Sequence, residues 1–107
     1  MTYRKAPLEG LAALGDPTRR TIFERVAAKP SAVGELAREL PVSRPAVSQH
    51  LKVLRNSQIL TMNKQAQKRY YQINPAAFEE LEQWSRRMKE TWTARLGQLD
   101  SLLNEDW

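Results

Sequence analysis

Basic and polar side chains, with no acid among them, fill the stretch from residue 43 to residue 55. Arginine and lysine bring positive charge, and arginine, glutamine and serine also bring hydrogen-bond donors. Such donors can bind base edges in the major groove of DNA, while the cations can bind phosphates. We therefore predict nucleic-acid recognition by this stretch. Its candidate contact residues are Ser43, Arg44, Pro45, Ser48, Gln49, His50, Lys52 and Arg55.

The charge of the chain is distributed unevenly around this stretch. Residues 1–74 contain 13 basic and 5 acidic side chains, whereas residues 75–107 contain 4 basic and 7 acidic ones. No Asp or Glu occurs between Glu39 and Glu79. Because a solvated surface usually mixes both signs, this acid-free interval predicts a polyanionic partner. The charge alone fits RNA or an anionic membrane as well as DNA, so the choice depends on the elements that carry it.

Two short helices joined by a tight turn are predicted to position these residues. The first has one apolar face at the spacing i, i+3, i+4, i+7, formed by Val33, Leu36, Ala37 and Leu40. Pro41 ends this helix, since a proline disfavours helical geometry in the residue before it. Ser43 can cap the second helix, and Pro45 falls in its first turn. The second helix buries Val47, Leu51 and Leu54, which leaves the basic residues outside. The alternative is a helical bundle in which the same face is merely solvated.

Two further helices are predicted before this pair. The first is marked by Leu8, Leu11, Ala12 and Leu14. Gly15 ends it as a C′ residue, and Asp16 followed by Pro17 starts the next helix with a cap and an N1 proline. Arg19 and Arg20 are interpreted as surface charges of this second helix, with phosphate contact as the alternative.

A β-hairpin is predicted after the basic helix, because the pattern changes to short runs of β-branched, apolar and aromatic residues at 59–62 and 69–73. Between them lies a polar, basic tip. A hairpin that follows a helical pair can lie along the DNA backbone or enter the minor groove, which makes Lys64, Lys68 and Arg69 contact candidates. The alternative is a structural hairpin with a solvated tip. Tyr71 and Ile73 should share its inward face.

The last predicted helix carries a long apolar stripe. Asn74 and Pro75 start it with a cap and an N1 proline. Large apolar residues then recur at steps of three and four for about 26 residues, or roughly 39 Å. A domain of this size cannot cover such a length, so we expect the stripe to meet a second copy of the chain.

The segment ELARELPVSRPAVSQHLKVL resembles the helix-turn-helix of the ArsR family of bacterial winged-helix transcription repressors. Ser48 to Leu54 is its most specific part, Leu14 to Arg20 also fits the family, and the resemblance covers residues 8 to 103. It implies a mainly α fold with a small β-hairpin, in the order α-α-α-α-β-β-α, as one domain over residues 1–107. Within it, residues 31–56 form the helix-turn-helix, 59–73 the wing and 75–103 the dimerisation helix.

The resemblance also implies partners and a location. They are double-stranded operator DNA and a second copy of the chain, in the bacterial cytoplasm and on the nucleoid when DNA is bound. In this family the first and last helices form the dimer interface. The matching residues are Leu8, Leu11, Trp84, Met88, Trp92, Leu96 and Leu99.

This chain departs from the family pattern at two turns. The family usually has glycine before the first wing strand, where this chain has Gln58, and often at the wing tip, where it has Gln65-Ala66-Gln67. A positive φ at Gln58 would cost on the order of 1 kcal/mol.

Metal, cofactor and catalytic chemistry are not expected. There is no cysteine, and the single histidine, His50, lies on the basic helix, so neither metal-ligand pattern of the family carries over. No cofactor motif, nucleophile–base arrangement or membrane span is visible. We expect a non-metal-sensing repressor and no enzyme, and the sequence does not identify a small-molecule effector. The alternative function is a winged-helix protein–protein interaction module without DNA binding.

Overall fold

Five helices and two strands follow one another in the order that the sequence predicts. A computed structural model describes residues 5–105 of the chain, with side chains from residue 9 to residue 104. The elements are α1 (Lys5–Ala13), α2 (Pro17–Ala28), α3 (Val33–Glu39), α4 (Arg44–Asn56), β1 (Leu60–Gln65), β2 (Lys68–Ile73) and α5 (Pro75–Glu105). The predicted fold class, mainly helical with a two-stranded hairpin before a long last helix, is confirmed.

Three helix starts are fixed by capping side chains, as predicted. Asp16 Oδ2 accepts a hydrogen bond from the backbone N–H of Arg19 at 2.8 Å, and Ser43 Oγ accepts one from Ala46 at 3.3 Å. Asn74 Oδ1 accepts from the backbone N–H of residue 76 at 3.2 Å. Each cap satisfies a donor that the first turn of a helix leaves free, so local sequence decides where α2, α4 and α5 begin.

The end of α1 differs from the prediction. Gly15 does not adopt the left-handed conformation of a C′ glycine. Instead, two arginines of α2 donate to the free carbonyl groups there: Arg19 Nη1 to Ala13 at 3.2 Å and Arg20 Nε to Leu14 at 3.0 Å. These arginines, interpreted from sequence as surface charges, therefore join α1 to α2.

The hydrophobic core is centred on α4. Its buried stripe packs on α2, α3 and β1, and α2 also meets α5 through the stacked rings of Phe23 and Phe78, whose centroids are 5.6 Å apart. The fully buried large side chains are Ile22, Leu36, Leu51, Leu54, Ile59, Leu60, Val26 and Val47. Because α4 is anchored along one whole side, its opposite side is held rigidly toward solvent.

The end of α4 has the hydrogen bonds of a Schellman motif, with glutamine at the C′ position. Gln58 has φ 67°, its N–H donates to Arg55 at 3.0 Å, and the N–H of Ile59 donates to Leu54 at 3.2 Å. Ile59 and Leu54 are both fully buried, which supplies the apolar contact of this motif. Gln58 thus adopts the positive φ for which the sequence stated only the cost.

The hairpin is antiparallel, and its register pairs Leu60 with Ile73 and Gln65 with Lys68. That register leaves a two-residue loop in which Ala66 has φ 56° and Gln67 does not have a positive φ, as a type II′ turn requires. Tyr71 faces the core as predicted, whereas Ile73 is only half-buried.

Substituting glycine at either strained position is expected to stabilise the fold. The left-handed conformation destabilises a residue that has a side chain by about 1–2 kcal/mol. Glycine removes this strain, but its greater freedom in the unfolded chain offsets about 0.4–1 kcal/mol of the gain. Gln58→Gly and Ala66→Gly should each raise the free energy of unfolding in urea by about 0.5–1 kcal/mol at a fixed protein concentration. Gln67→Gly, with ordinary φ, is the control and should lower it. A loss of stability in both variants would contradict the strain assigned here.

The helix α5 extends well beyond the core. Its 31 residues, two more than the predicted segment, span about 46 Å, and the described structure measures 68 × 31 × 22 Å. Side chains 85–104 are all exposed. In residues 5–105 no helix has both the length and the apolarity needed to cross a bilayer.

Candidate nucleic-acid interface

The exposed side of α4 carries most of the residues predicted to contact DNA. We call it the reading face, made of Ser43, Arg44, Pro45, Ser48, Gln49, Lys52 and Arg55, all of which are exposed. Arg44 and Pro45 occupy the first two helical positions after the Ser43 cap. Helix α4 contains no acid, so the field of the reading face is positive along its whole length.

His50 is the exception among the predicted contact residues of α4. It is half-buried, and its Nδ1 atom is buried without a hydrogen-bond partner in the described part of the structure. The ring lies at the border between the core and the reading face, as the helical spacing predicts. A buried unpartnered nitrogen of this kind lowers stability, so His50 differs from the exposed residues of the reading face.

The wing, formed by β1 and β2 with their connecting turn, presents its cations at the tip. Lys64, Lys68 and Arg69 are exposed, and the register places Lys64 directly opposite Arg69. Like charges opposite each other destabilise a hairpin, so an anion at the tip would relieve that repulsion. The ion pairs Arg25–Glu39 and Arg86–Glu82, each with an N–O distance of 3.1 Å, lie outside the wing and the reading face.

Hydrogen bonds to backbone carbonyls fix the wing relative to the two helices. Ser31, just before α3, exchanges two bonds with Tyr71 of β2, at 3.0 and 2.8 Å. At the base of the wing, Asn74 Nδ2 donates to the carbonyl of Gln58 at 2.7 Å, and the Asn74 N–H donates to Ile59 at 3.0 Å. These contacts make the wing and the helix-turn-helix one rigid surface, which can meet a rigid partner without first being ordered.

The wing also closes a basic cleft that the sequence did not predict. The cleft, with a volume of about 370 Å³, lies between the starts of α3 and α4 and the wing tip. Its wall includes Gly34, Glu35, Arg38, Arg44, Lys68 and Arg69. Arg38 was not among the predicted contacts because its own helix gives no sign that the wing lies beside it. The acid-free interval begins only after Glu39, the last residue of α3, so it gave no signal for Arg38.

An apolar stripe runs along the exposed part of α5. We define it as Met88, Trp92, Leu96, Leu99 and Leu103, whose exposed fractions run from 46% to 64%. Trp84 is half-buried. Helix α1 packs on α5, and its residue Leu11 is 42% exposed. The side chain of Leu8 lies outside the described residues. Contiguous apolar surface of this length is unusual on a monomer and marks an interaction site.

Metal-ligating side chains do not gather in the described structure. No group of three or more His, Cys, Asp or Glu residues that could hold a metal ion occurs among the described residues.

Known proteins match this chain in both sequence and structure. Residues 14–63 match a family model described as a helix-turn-helix domain. The HTH-type transcriptional regulator Rv2034 of Mycobacterium tuberculosis is 52% identical over 75% of this chain and 74% of its own length. The transcriptional repressor SdpR of Bacillus subtilis is 28% identical over 67% of this chain and 80% of its own length.

A solved structure extends the similarity to nearly the whole chain. The ArsR-like transcriptional regulator from Rhodococcus sp. RHA1 superposes with a TM-score of 0.83 at 26% identity, and the alignment covers 91% of this chain and 92% of that one. All three of these matched proteins are named as regulators of transcription.

Proposed function

This chain belongs to the ArsR family of helix-turn-helix transcriptional regulators, which bind DNA, and from that premise we propose that it is a homodimeric repressor of a pseudo-palindromic operator. The observation that carries the proposal is the rigid basic surface formed by the reading face and the wing. It is free of acids from residue 40 to residue 78, and the apolar stripe of α5 is formed by other residues.

Each part of the basic surface has a distinct role in this proposal. Arg44 and Gln49 bind base edges in the major groove, because both side chains can form paired hydrogen bonds with a purine. Ser43, Ser48, His50, Lys52 and Arg55 position phosphates, with help from the positive N-terminal end of α4. Lys64, Lys68 and Arg69 act from the wing on the adjoining backbone.

The second copy is proposed to cover the apolar stripe. Leu11, Trp84, Met88, Trp92, Leu96 and Leu99 form the interface, together with Leu8. A two-fold dimer places its reading faces in successive major grooves, so the half-sites lie about 34–36 Å apart, or one helical turn. Repression follows because a dimer seated over a promoter blocks access by the polymerase.

A salt titration tests whether the basic surface binds phosphates. If the five cations assigned to phosphates in each copy of a dimer each neutralise one, the logarithm of the duplex association constant should fall against the logarithm of salt with a slope of about −9. Fluorescence anisotropy with a labelled promoter duplex measures it. The triple variant Lys64→Gln, Lys68→Gln, Arg69→Gln should flatten the slope, because it removes the wing cations and leaves the core untouched. A flat response of the unmodified chain, or no duplex binding at low salt, would favour a protein–protein interaction module.

A further inference from the structure

The cleft between α3, α4 and the wing is the place where three separate elements bring positive charge together. Arg38 comes from α3, Arg44 from the first position of α4, and Lys68 and Arg69 from the wing strand β2. Arg38, Arg44, Lys68 and Arg69 are all exposed. Convergence of cations from distant parts of a chain is unfavourable unless an anion compensates for it.

A single carboxylate, that of Glu35, lies on the same wall, so four cations face one acid. The nearby acid Glu39 is paired with Arg25 of α2 at 3.1 Å. The charge of the cleft is therefore strongly positive, and its volume is about 370 Å³. That space can admit a phosphodiester group with its bridging oxygens.

The position of the cleft favours a phosphate of bound DNA as that anion. It lies beside the start of α4, the end of the recognition helix that approaches the bases, and it is bounded by the wing tip, which approaches the backbone. A strand read by α4 would thus pass close to the mouth of the cleft before it reaches the wing.

We infer that the cleft seats a backbone phosphodiester of the operator, and that Arg38 is a phosphate contact which α3 adds to those of α4 and the wing. This inference rests on the proposed function and names a further contact of the same site. It does not depend on whether Arg44 binds a base or a phosphate, because the positive charge of Arg44 lies on the cleft wall in either case.

The test compares Arg38→Ala with Arg86→Ala in the salt titration of duplex binding. Both substitutions remove one exposed arginine, but Arg86 lies on α5 and is paired with Glu82. In a dimer, Arg38→Ala removes two phosphate contacts and should reduce the steepness of the salt slope by about 1.8, whereas Arg86→Ala should leave the slope unchanged. Circular dichroism verifies that both variants are folded.

Glu35→Gln tests the same cleft with the opposite sign. Removal of the one carboxylate on its wall should raise duplex affinity roughly twofold to fivefold at low salt, with the gain fading as salt rises. Two results would overturn the cleft inference and leave the proposed function intact. In the first, the unmodified chain shows a steep salt slope that Arg38→Ala does not change. In the second, Arg86→Ala changes the slope as much as Arg38→Ala does. Failure of the unmodified chain to bind duplex would overturn both.

Discussion

Replacement of Trp92 by alanine is expected to convert a dimer into monomers at micromolar concentration and to weaken DNA binding as a consequence. Trp92 is 64% exposed, the highest fraction among the exposed large hydrophobic residues of the described structure, and it is the largest side chain of the apolar stripe. A buried tryptophan at the centre of an interface commonly contributes about 2 kcal/mol or more. A two-fold interface contains it twice, so the dimer dissociation constant should rise about a thousandfold.

Sedimentation velocity over a range of protein concentrations measures this shift. The control is Ser101→Ala, which also shortens an exposed side chain of α5 but on the side of the helix opposite Trp92. It should leave the dimer unchanged. Because Trp92 is exposed in the single chain, its loss should not unfold the domain, and circular dichroism should be unaltered. An unchanged dimer in the Trp92 variant would show that the interface lies elsewhere.

Replacement of Arg44 by alanine is the second substitution with a large expected effect. If Arg44 binds a guanine edge, its loss should reduce discrimination between the operator and a random duplex by about 1–3 kcal/mol for each half-site. The exposed side chain lies at the first position of α4, so no core contact changes. Anisotropy titrations with the two duplexes at one salt concentration measure the difference.

Lys52→Ala serves as the comparison for Arg44. Lys52 is exposed two turns further along the reading face, and we propose that it binds a phosphate. Its loss should weaken binding to operator and random duplex alike, because a phosphate carries no sequence information. Equal losses on both duplexes for Arg44→Ala would instead place the Arg44 guanidinium on a phosphate. The position of Arg44 on the cleft wall is compatible with such a phosphate contact.

Local sequence predicted the starts of three helices because each depends on residues that are close in the chain. Asp16, Ser43 and Asn74 each accept a hydrogen bond from a backbone N–H two or three residues ahead. The buried side of α4 was equally predictable, because the spacing of Val47, Leu51 and Leu54 determines it. The change of pattern after α4 likewise indicated the hairpin, and the resemblance to a known family supported the same order of elements.

Contacts between distant segments were not predictable in the same way. The guanidinium groups of Arg19 and Arg20 donate to carbonyls at the end of α1, five or six residues away. From the sequence, both arginines were interpreted only as surface charges or phosphate contacts. The basic cleft depends on the bridge between Ser31 and Tyr71, 40 residues apart, which sets the wing beside α3. Neither arrangement leaves a periodic pattern, so only the folded chain reveals it.

The two strained turns illustrate how tertiary packing overrides local preference. Gln58 and Ala66 adopt positive φ although neither is a glycine. At Gln58 the hydrogen bonds of the helix end and the burial of Ile59 compensate for the strain. At Ala66 the pairing of β1 with β2 fixes the turn.

Selection of bound sequences from a random pool of DNA duplexes tests the central claim most directly. Two identical reading faces held at a fixed separation by α5 should enrich an inverted repeat whose half-site centres are about 10–10.5 base pairs apart. The Trp92→Ala variant, run in parallel, should enrich that repeat poorly. Recovery of no common sequence, or of a single unrepeated motif bound by one chain, would contradict the account of a dimeric operator-binding repressor.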